Sequence, residues 1–294
     1  MPLYNSAPAA AGGSALDANG NLVLPNPTAV TTPATGAIAE RVITKAGFSQ
    51  LGYANVDIPD LSVMPGLESS SVYKMEAQGV SSSTLVTACT ANPSGTVSGI
   101  TPTFTSYTTS KNLIQTSTGA TAGTFAGLAA IGAFRYRGNG AKRGGFYVVI
   151  RFVPVLQVGH QGSVGLANSN TFSAEPSAES GAILGMIADS TDTNWQMFSK
   201  AATGTGTKID TGLSKTLTGS LLALYLYAAP GGTGVVYQLD NEEAGTTVAS
   251  GTMTATLPAG NVSFNATAAR VRNGSTTTAA LMQLAMLYNS SRYS

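Results

Sequence analysis

After Gly144-Gly145 the chain reads Phe146-Tyr147-Val148-Val149-Ile150-Arg151-Phe152-Val153-Pro154. This spacing predicts a strand, with Phe146, Val148, Ile150 and Phe152 on one face and Tyr147, Val149 and Arg151 on the other. Leu222, Leu224 and Leu226 repeat the period within Leu221–Tyr227. The turn residues Pro230-Gly231-Gly232-Thr233-Gly234 then return the chain into Val235–Leu239, which predicts a hairpin with a long turn. Further apolar bursts over 163–167, 182–187, 195–198, 248–256 and 279–288 bring the strands to the number that a two-sheet sandwich uses, with no helical crossovers between them. The last burst, Ala279 to Tyr288, is apolar on both faces, so it reads either as a helix or as a strand covered on both sides.

Upstream, residues 37–140 alternate short β-branched bursts with the punctuation Ile58-Pro59, Met64-Pro65-Gly66, Asn92-Pro93-Ser94-Gly95 and Thr101-Pro102, which predicts many turns and short strands. The pattern leaves Ser69–Ala77 and Ala120–Ala133 open between helix and strand, although Gly119, Gly123, Gly127 and Gly132 argue against a helix in the second. Residues 1–36 are a mixture of Ala, Pro, Gly and Thr with one ordered signal, Leu16-Asp17-Ala18-Asn19-Gly20-Asn21-Leu22-Val23-Leu24-Pro25. Asn and Gly tolerate the positive φ of a tight turn, so Asn19-Gly20 predicts a hairpin. A lone hairpin cannot bury itself. Leu16, Leu22, Val23 and Leu24 are therefore candidates for docking on another chain. The division expected is an extended attachment arm over 1–36, a β-rich stem or shoulder over 37–140, and a β domain over 141–294.

Composition adds an argument about assembly. Only 10% of the 294 residues are Asp, Glu, Lys or Arg, against roughly 25% in an ordinary soluble domain. A surface without a dense charged shell suggests cover by neighbouring copies or partner proteins. Fifteen basic against fourteen acidic residues give a net charge of +1, which leaves no electrostatic footprint for nucleic acid or an anionic membrane. One cysteine and one histidine allow neither an intrachain disulfide nor a usual structural zinc site. The opening residues lack the basic and apolar regions of a secretory signal, and the longest apolar runs fall well short of a membrane span. Synthesis in the cytoplasm without membrane insertion is the expectation.

Two sets of residues resemble a known family. Asn5-Ser6-Ala7-Pro8, Ala11-Gly12-Gly13 and Leu16 to Pro25 resemble the amino-terminal arm of tailed-bacteriophage tail or head fibre proteins. Gly144 to Phe152, Val164-Gly165-Leu166, Glu175-Pro176-Ser177, Asp189 to Gln196 and Ala228 to Thr233 resemble their carboxy-terminal part. The resemblance spans about half the chain, with Phe48-Ser49 through Leu67-Glu68 the best stretch of a weaker middle. It implies a concanavalin-A-like jelly roll at the carboxy-terminal end and a homotrimer on the virion. The expected function is a non-enzymatic tail fibre or spike subunit that adheres to host-surface glycan. Its partners would be sister copies and other virion proteins of the tail, the portal-proximal region or the capsid. A capsid head fibre or decoration protein and a glycan-cleaving tail enzyme are the alternatives.

Candidate chemistry is sparse. Asp189, Asp192 and Asn194 alternate with Ser and Thr just before Trp195, and such oxygens beside an aromatic ring suit Ca²⁺ or sugar hydroxyls. Asp192, Asn194 and Trp195 are the candidate glycan-binding residues. The ordinary role of such clusters is to cap turns, and that of such a tryptophan is to fill a core. His160, in a glycine-bounded turn, lacks a nucleophile elbow or a nearby cysteine, and Cys89 reads as packing. A glycan-cleaving pair of carboxylates would come from acids such as Glu175, Glu179, Asp210, Asp240, Glu242 and Glu243, which fall mostly in predicted loops. Arg135, Arg137, Lys142 and Arg143 form the one basic cluster, which would either grip a phosphate-bearing glycan or solvate a hinge, the hinge being the default. No catalytic residue, metal site or cofactor is expected.

Overall fold

The computed structural model describes residues 113–291 except 136, 139–143, 169–171, 173 and 277, and before residue 113 strand backbones alone; side chains within 130–134, 265–268 and 286–291 are also outside the description. The chain divides into two compact units, Met1–Glu68 and Ser69–Ser294.

The first unit holds β1 (Ala15–Leu16), β2 (Leu22–Val23), β3 (Ala39–Lys45), β4 (Phe48–Ala54) and β5 (Leu61–Ser62). β1 and β2 pair antiparallel with Leu16 opposite Leu22; the predicted Asn19-Gly20 turn lies outside the described residues. β3, β4 and β5 form a separate three-stranded sheet.

The second unit begins with β6 (Ser71–Glu76), β7 (Thr90–Ala91), β8 (Thr96–Ile100), β9 (Leu113–Ser117), β10 (Phe125–Arg135), β11 (Phe146–Val155), β12 (His160–Ala167) and β13 (Ile183–Ala188). It continues with β14 (Asn194–Lys200), β15 (Thr207–Ser214), β16 (Leu222–Ala228), β17 (Val235–Asn241), β18 (Thr246–Met253), β19 (Phe264–Asn273) and β20 (Leu281–Ser291). One sheet runs β15-β14-β13-β12-β19-β10-β7. The other runs β18-β17-β16-β11-β20-β9-β8, with β6 also paired to β20. The chain passes from one sheet to the other between β6 and β7, β7 and β8, β9 and β10, β10 and β11, β11 and β12, β15 and β16, β18 and β19, and β19 and β20. The architecture is an antiparallel two-sheet jelly-roll sandwich of the concanavalin-A-like kind.

The period-two faces predicted above build the core. Phe146, Val148, Ile150 and Phe152 join Leu222, Leu224, Leu226, Val235, Leu239, Met282 and Leu284 from one sheet. The other sheet supplies Leu128, Val164, Leu166, Leu184, Met186, Trp195, Met197, Phe264 and Val271. The sheets meet edge to face, Phe152 against Trp195 at 6.1 Å between ring centroids and Phe146 against Phe264 at 6.4 Å. Such pairs add to the burial of the rings themselves.

Three features differ from the expectation or settle it. Residues 71–135 supply five strands to the two sheets, β6 to β10, so the sandwich starts well before residue 141. Ala120–Ala133 and Ser69–Ala77 resolve as strand, since β10 and β6 lie within or across them. The burst Ala279–Tyr288 enters strand β20 at Leu281, flanked on its two edges by β11 and by β6 and β9.

Candidate functional site

The loop joining β13 to β14 brings Asp189 and Asp192 together but turns their carboxylates inward on the protein. Asp189 donates its backbone N–H to Asp192 Oδ2 at 2.8 Å, and Ser177 N–H donates to Asp189 Oδ1 at 3.0 Å. Lys208, on β15, lays its Nζ 2.7 Å from Asp189 Oδ2 and 2.8 Å from Asp192 Oδ2. Burial opposes the Lys208 charge, but the hydrogen bonds from Nζ to the two carboxylates outweigh it and raise the pKa. An ammonium thus occupies the position between two carboxylates that a divalent cation would take. Lys215, almost fully buried, donates to the carbonyls of Asp189 and Ser190 at 2.8 and 2.9 Å from below the loop. Burial holds its pKa below the usual lysine value, against the pull of Asp192, Glu175 and Asp189. Among the described residues no group of three or more His, Cys, Asp or Glu is arranged to hold a metal ion.

Asn194 donates its side-chain amide to both oxygens of Asp210, at 3.1 and 3.2 Å. Trp195 corrects the glycan-platform expectation. Its relative exposure is 0% and its ring packs on Phe152, so it offers no face to a sugar. The reason lies in the alternation of β14, which puts Trp195, Met197 and Ser199 on its buried face. Asp192 and Asn194 remain near the surface without it. Leu16 lies in β1, and Leu22 and Val23 lie in β2; their side chains, all of Leu24, and Cys89 fall outside the described residues.

His160 is fully buried and not in an open turn. Its Nδ1 accepts from Gln157 N–H at 3.1 Å, which leaves the proton on Nε2 to donate to Thr278 O at 3.0 Å and approach Thr276 Oγ1 at 2.8 Å. Burial lowers its pKa, opposed by the Thr278 bond and assisted by Lys215. The unfolded imidazole, with a pKa near 6.5, therefore binds protons more readily than the folded one. The stability His160 contributes is complete above about pH 6.5 and is lost as pH falls from there through the folded pKa. Thermal melts from about pH 7 to about pH 5 should show Tm falling, and His160→Gln should flatten that part of the slope.

The basic cluster contributes a second arrangement. Arg135 and Arg137 are both buried, which overturns the solvated-hinge reading; Lys142 and Arg143 lie outside the described residues. Three connections meet at Arg137: the one following β10, the β16–β17 turn, and the segment between β18 and β19. Its carbonyl accepts from Gly145 N–H at 3.1 Å and Gly231 N–H at 2.9 Å. Its guanidinium donates from Nε and Nη2 to Pro258 O, at 3.2 and 2.5 Å, and from Nη1 to Gly232 O at 2.6 Å. Gly138 N–H closes the joint on Gly260 O at 2.9 Å.

These loops enclose a depression of about 520 Å³, open to solvent and lined by Arg137 with Gly232, Thr233, Thr254, Thr256 and Leu257 among others. That volume falls within the range of small-ligand sites. Among the described residues its lining presents hydroxyls, backbone groups and the Arg137 cation, with no acidic side chain. Thr256 has φ +47°, a conformation uncommon for a β-branched residue. It is held there by donating its hydroxyl to Ser199 O at 2.7 Å and accepting from the Thr207 hydroxyl at 2.9 Å. Arg137 was visible in the sequence as part of a basic cluster. The closeness of residues 137, 232 and 258 was not, because each lies in a separate turn.

No protein family profile and no curated protein matches the chain. Among solved structures, a protein of unknown function from Shewanella oneidensis MR-1 is 16% identical, over 79% of this chain and 97% of that one, with a TM-score of 0.51. Its likeness bears on the fold alone. Lectin UEA-II in complex with galactose is 12% identical, over 76% of this chain and 99% of its own, at 0.48. A carbohydrate esterase of the Shiga toxin-encoding bacteriophage phi24B is 14% identical, over 76% and 100%, at 0.44.

Proposed function

We propose that this chain is a non-enzymatic structural subunit of a tailed-bacteriophage virion, a homotrimeric fibre or spike that its amino-terminal arm attaches to the particle and whose sandwich adheres to host-surface glycan. The observation that carries the adhesive part is the solvent-open depression at Arg137, where hydroxyl and backbone groups from several loops converge on one rigid scaffold. Sugars are bound by such converging polar groups. Three shallow sites on one trimer would bind a repetitive cell surface far more tightly than one site alone.

The virion part is supported by the low content of ionic side chains and by the sequence resemblance to phage fibre proteins. For the arm, the β1–β2 hairpin has two residues per strand, too few to persist alone. Leu16, Leu22, Val23 and Leu24 would gain their burial on a neighbouring virion protein.

Light scattering on the purified full-length chain should give three times its 29.7 kDa mass. Deleting residues 1–36 should leave that mass multiple unchanged while abolishing incorporation into particles. A monomeric full-length protein, or undiminished incorporation without the arm, contradicts the reading. Incubation with host polysaccharide should retain the protein on the glycan and leave the chain length of the glycan unchanged.

A further inference from the structure

Arg137 as a residue is 9% exposed, and its guanidinium has no carboxylate partner among the described residues. Arginines that far from water are ordinarily matched by an acid. Here three backbone-carbonyl bonds position the group, and carbonyl dipoles do not neutralise a full charge. Each of Nη1 and Nη2 makes one of these bonds and carries two hydrogens. One N–H on each is left over, beside a depression whose described lining residues carry hydroxyls and no acidic side chain. Burial also depresses the Arg137 pKa, as expected for a cation whose surroundings do not compensate it.

We infer that the depression at Arg137 binds an oxyanion on a saccharide, a carboxylate or phosphate substituent, with Thr233 and Thr254 beside it to meet the sugar hydroxyls. The inference rests on the proposed glycan contact and narrows it to acidic glycans. An oxyanion there would receive charge-assisted N–H bonds from a guanidinium that is already fixed in place, so little side-chain freedom is lost on binding. Arg137 is therefore both the joint of three loops and the cation of the site.

The test is calorimetric titration of the full-length protein with oligogalacturonate, its methyl ester, and a phosphomannan oligosaccharide. The acidic sugars should bind, and esterification should weaken binding by about tenfold or more. Binding of oligogalacturonate assigns the oxyanion to carboxylate, and binding of phosphomannan alone assigns it to phosphate; both support the site. Arg137→Gln removes the cation but also loosens the loops. The decisive variant is thus Thr233→Glu, at an exposed position that no bond in the joint uses, which puts a competing carboxylate in the depression. It should reduce affinity at least about tenfold with Tm unchanged. Equal affinity for acid and ester, or unchanged affinity in Thr233→Glu, overturns the anionic site while leaving glycan adhesion standing. Failure of any host glycan, neutral or acidic, to bind removes both.

Discussion

Trp195→Ala is expected to lower the free energy of unfolding by about 4 kcal/mol and to reduce Tm by about 8 to 16 °C in a unit of this size. The indole is fully buried and edge-packed on Phe152 across the sandwich. The packing beneath it is tight: a Cβ added at Gly162 would lie 2.5 Å from Trp195 Cη2 and 3.0 Å from Leu156 Cδ1. The cavity left by alanine cannot be filled from the sheet backbone on which the ring rests, so the loss includes the void as well as the burial. Trp195→Phe should cost only about 1 to 2 kcal/mol. It gives up volume but no hydrogen bond, because indole Nε1 has no acceptor among the described residues. Chemical denaturation of the two variants checks the core assignment. A stable Trp195→Ala protein that had lost only glycan binding would restore the platform role.

Gly185→Ala should destabilise by about 3 kcal/mol, with Tm lowered by about 6 to 12 °C. Gly165 and Gly185 face each other across β12 and β13. A Cβ at Gly185 would meet Val164 O at 2.2 Å and Gly165 Cα at 2.8 Å, and one at Gly165 would meet Leu184 O at 2.3 Å. These are backbone atoms of two adjoining strands well inside the sheet, so relief requires parting a hydrogen-bonded ladder and not the swing of a side chain. Gly204→Ala provides the contrast. Gly204 has φ +91° but no atom within 4 Å of its added Cβ, so only conformational strain remains, about 1 kcal/mol. Equal melts for the two variants would refute the close-approach account.

The sandwich was legible where apolar residues alternate cleanly. Phe146 to Phe152 and Leu222 to Leu226 point inward as their spacing predicts, and the Pro230–Gly234 turn joins β16 to β17 in the expected hairpin, Leu224 opposite Leu239. β19 escaped notice. Its sequence, Phe264-Asn-Ala-Thr-Ala-Ala-Arg-Val-Arg-Asn273, mixes small residues with two arginines and carries no strong alternation. It nonetheless lies between β12 and β10, where Arg270 is buried with its guanidinium 5.2 Å from the Phe172 ring and its pKa held down to about 10 by burial. Ser163, which accepts from Nη2 at 3.0 Å, and the Phe172 ring are tertiary neighbours of this cation, which no local pattern reports. For the same reason, the boundary expected at residue 141 missed the five strands, β6 to β10, that the preceding seventy residues donate to the sheets. Three of them, β6, β9 and β10, pair with β20 or β19, more than a hundred residues downstream.

The candidate sites divide in the same way. Asp189 and Asp192 behaved as turn-forming residues because a lysine sixteen positions beyond Asp192 supplies their cation. The Arg137 depression is built from Gly-Gly-Thr and Thr-rich turns whose sequences announce only reversal of the chain.

A fibre or spike subunit has a fixed place on a particle. Cryo-electron microscopy of purified virions, with the protein labelled at its carboxy-terminal end, should reveal threefold density on the tail or the head, with the label on the outward side and the arm against the particle. Particles with no such density, and a preparation in which the protein remains free of every virion, would contradict that role.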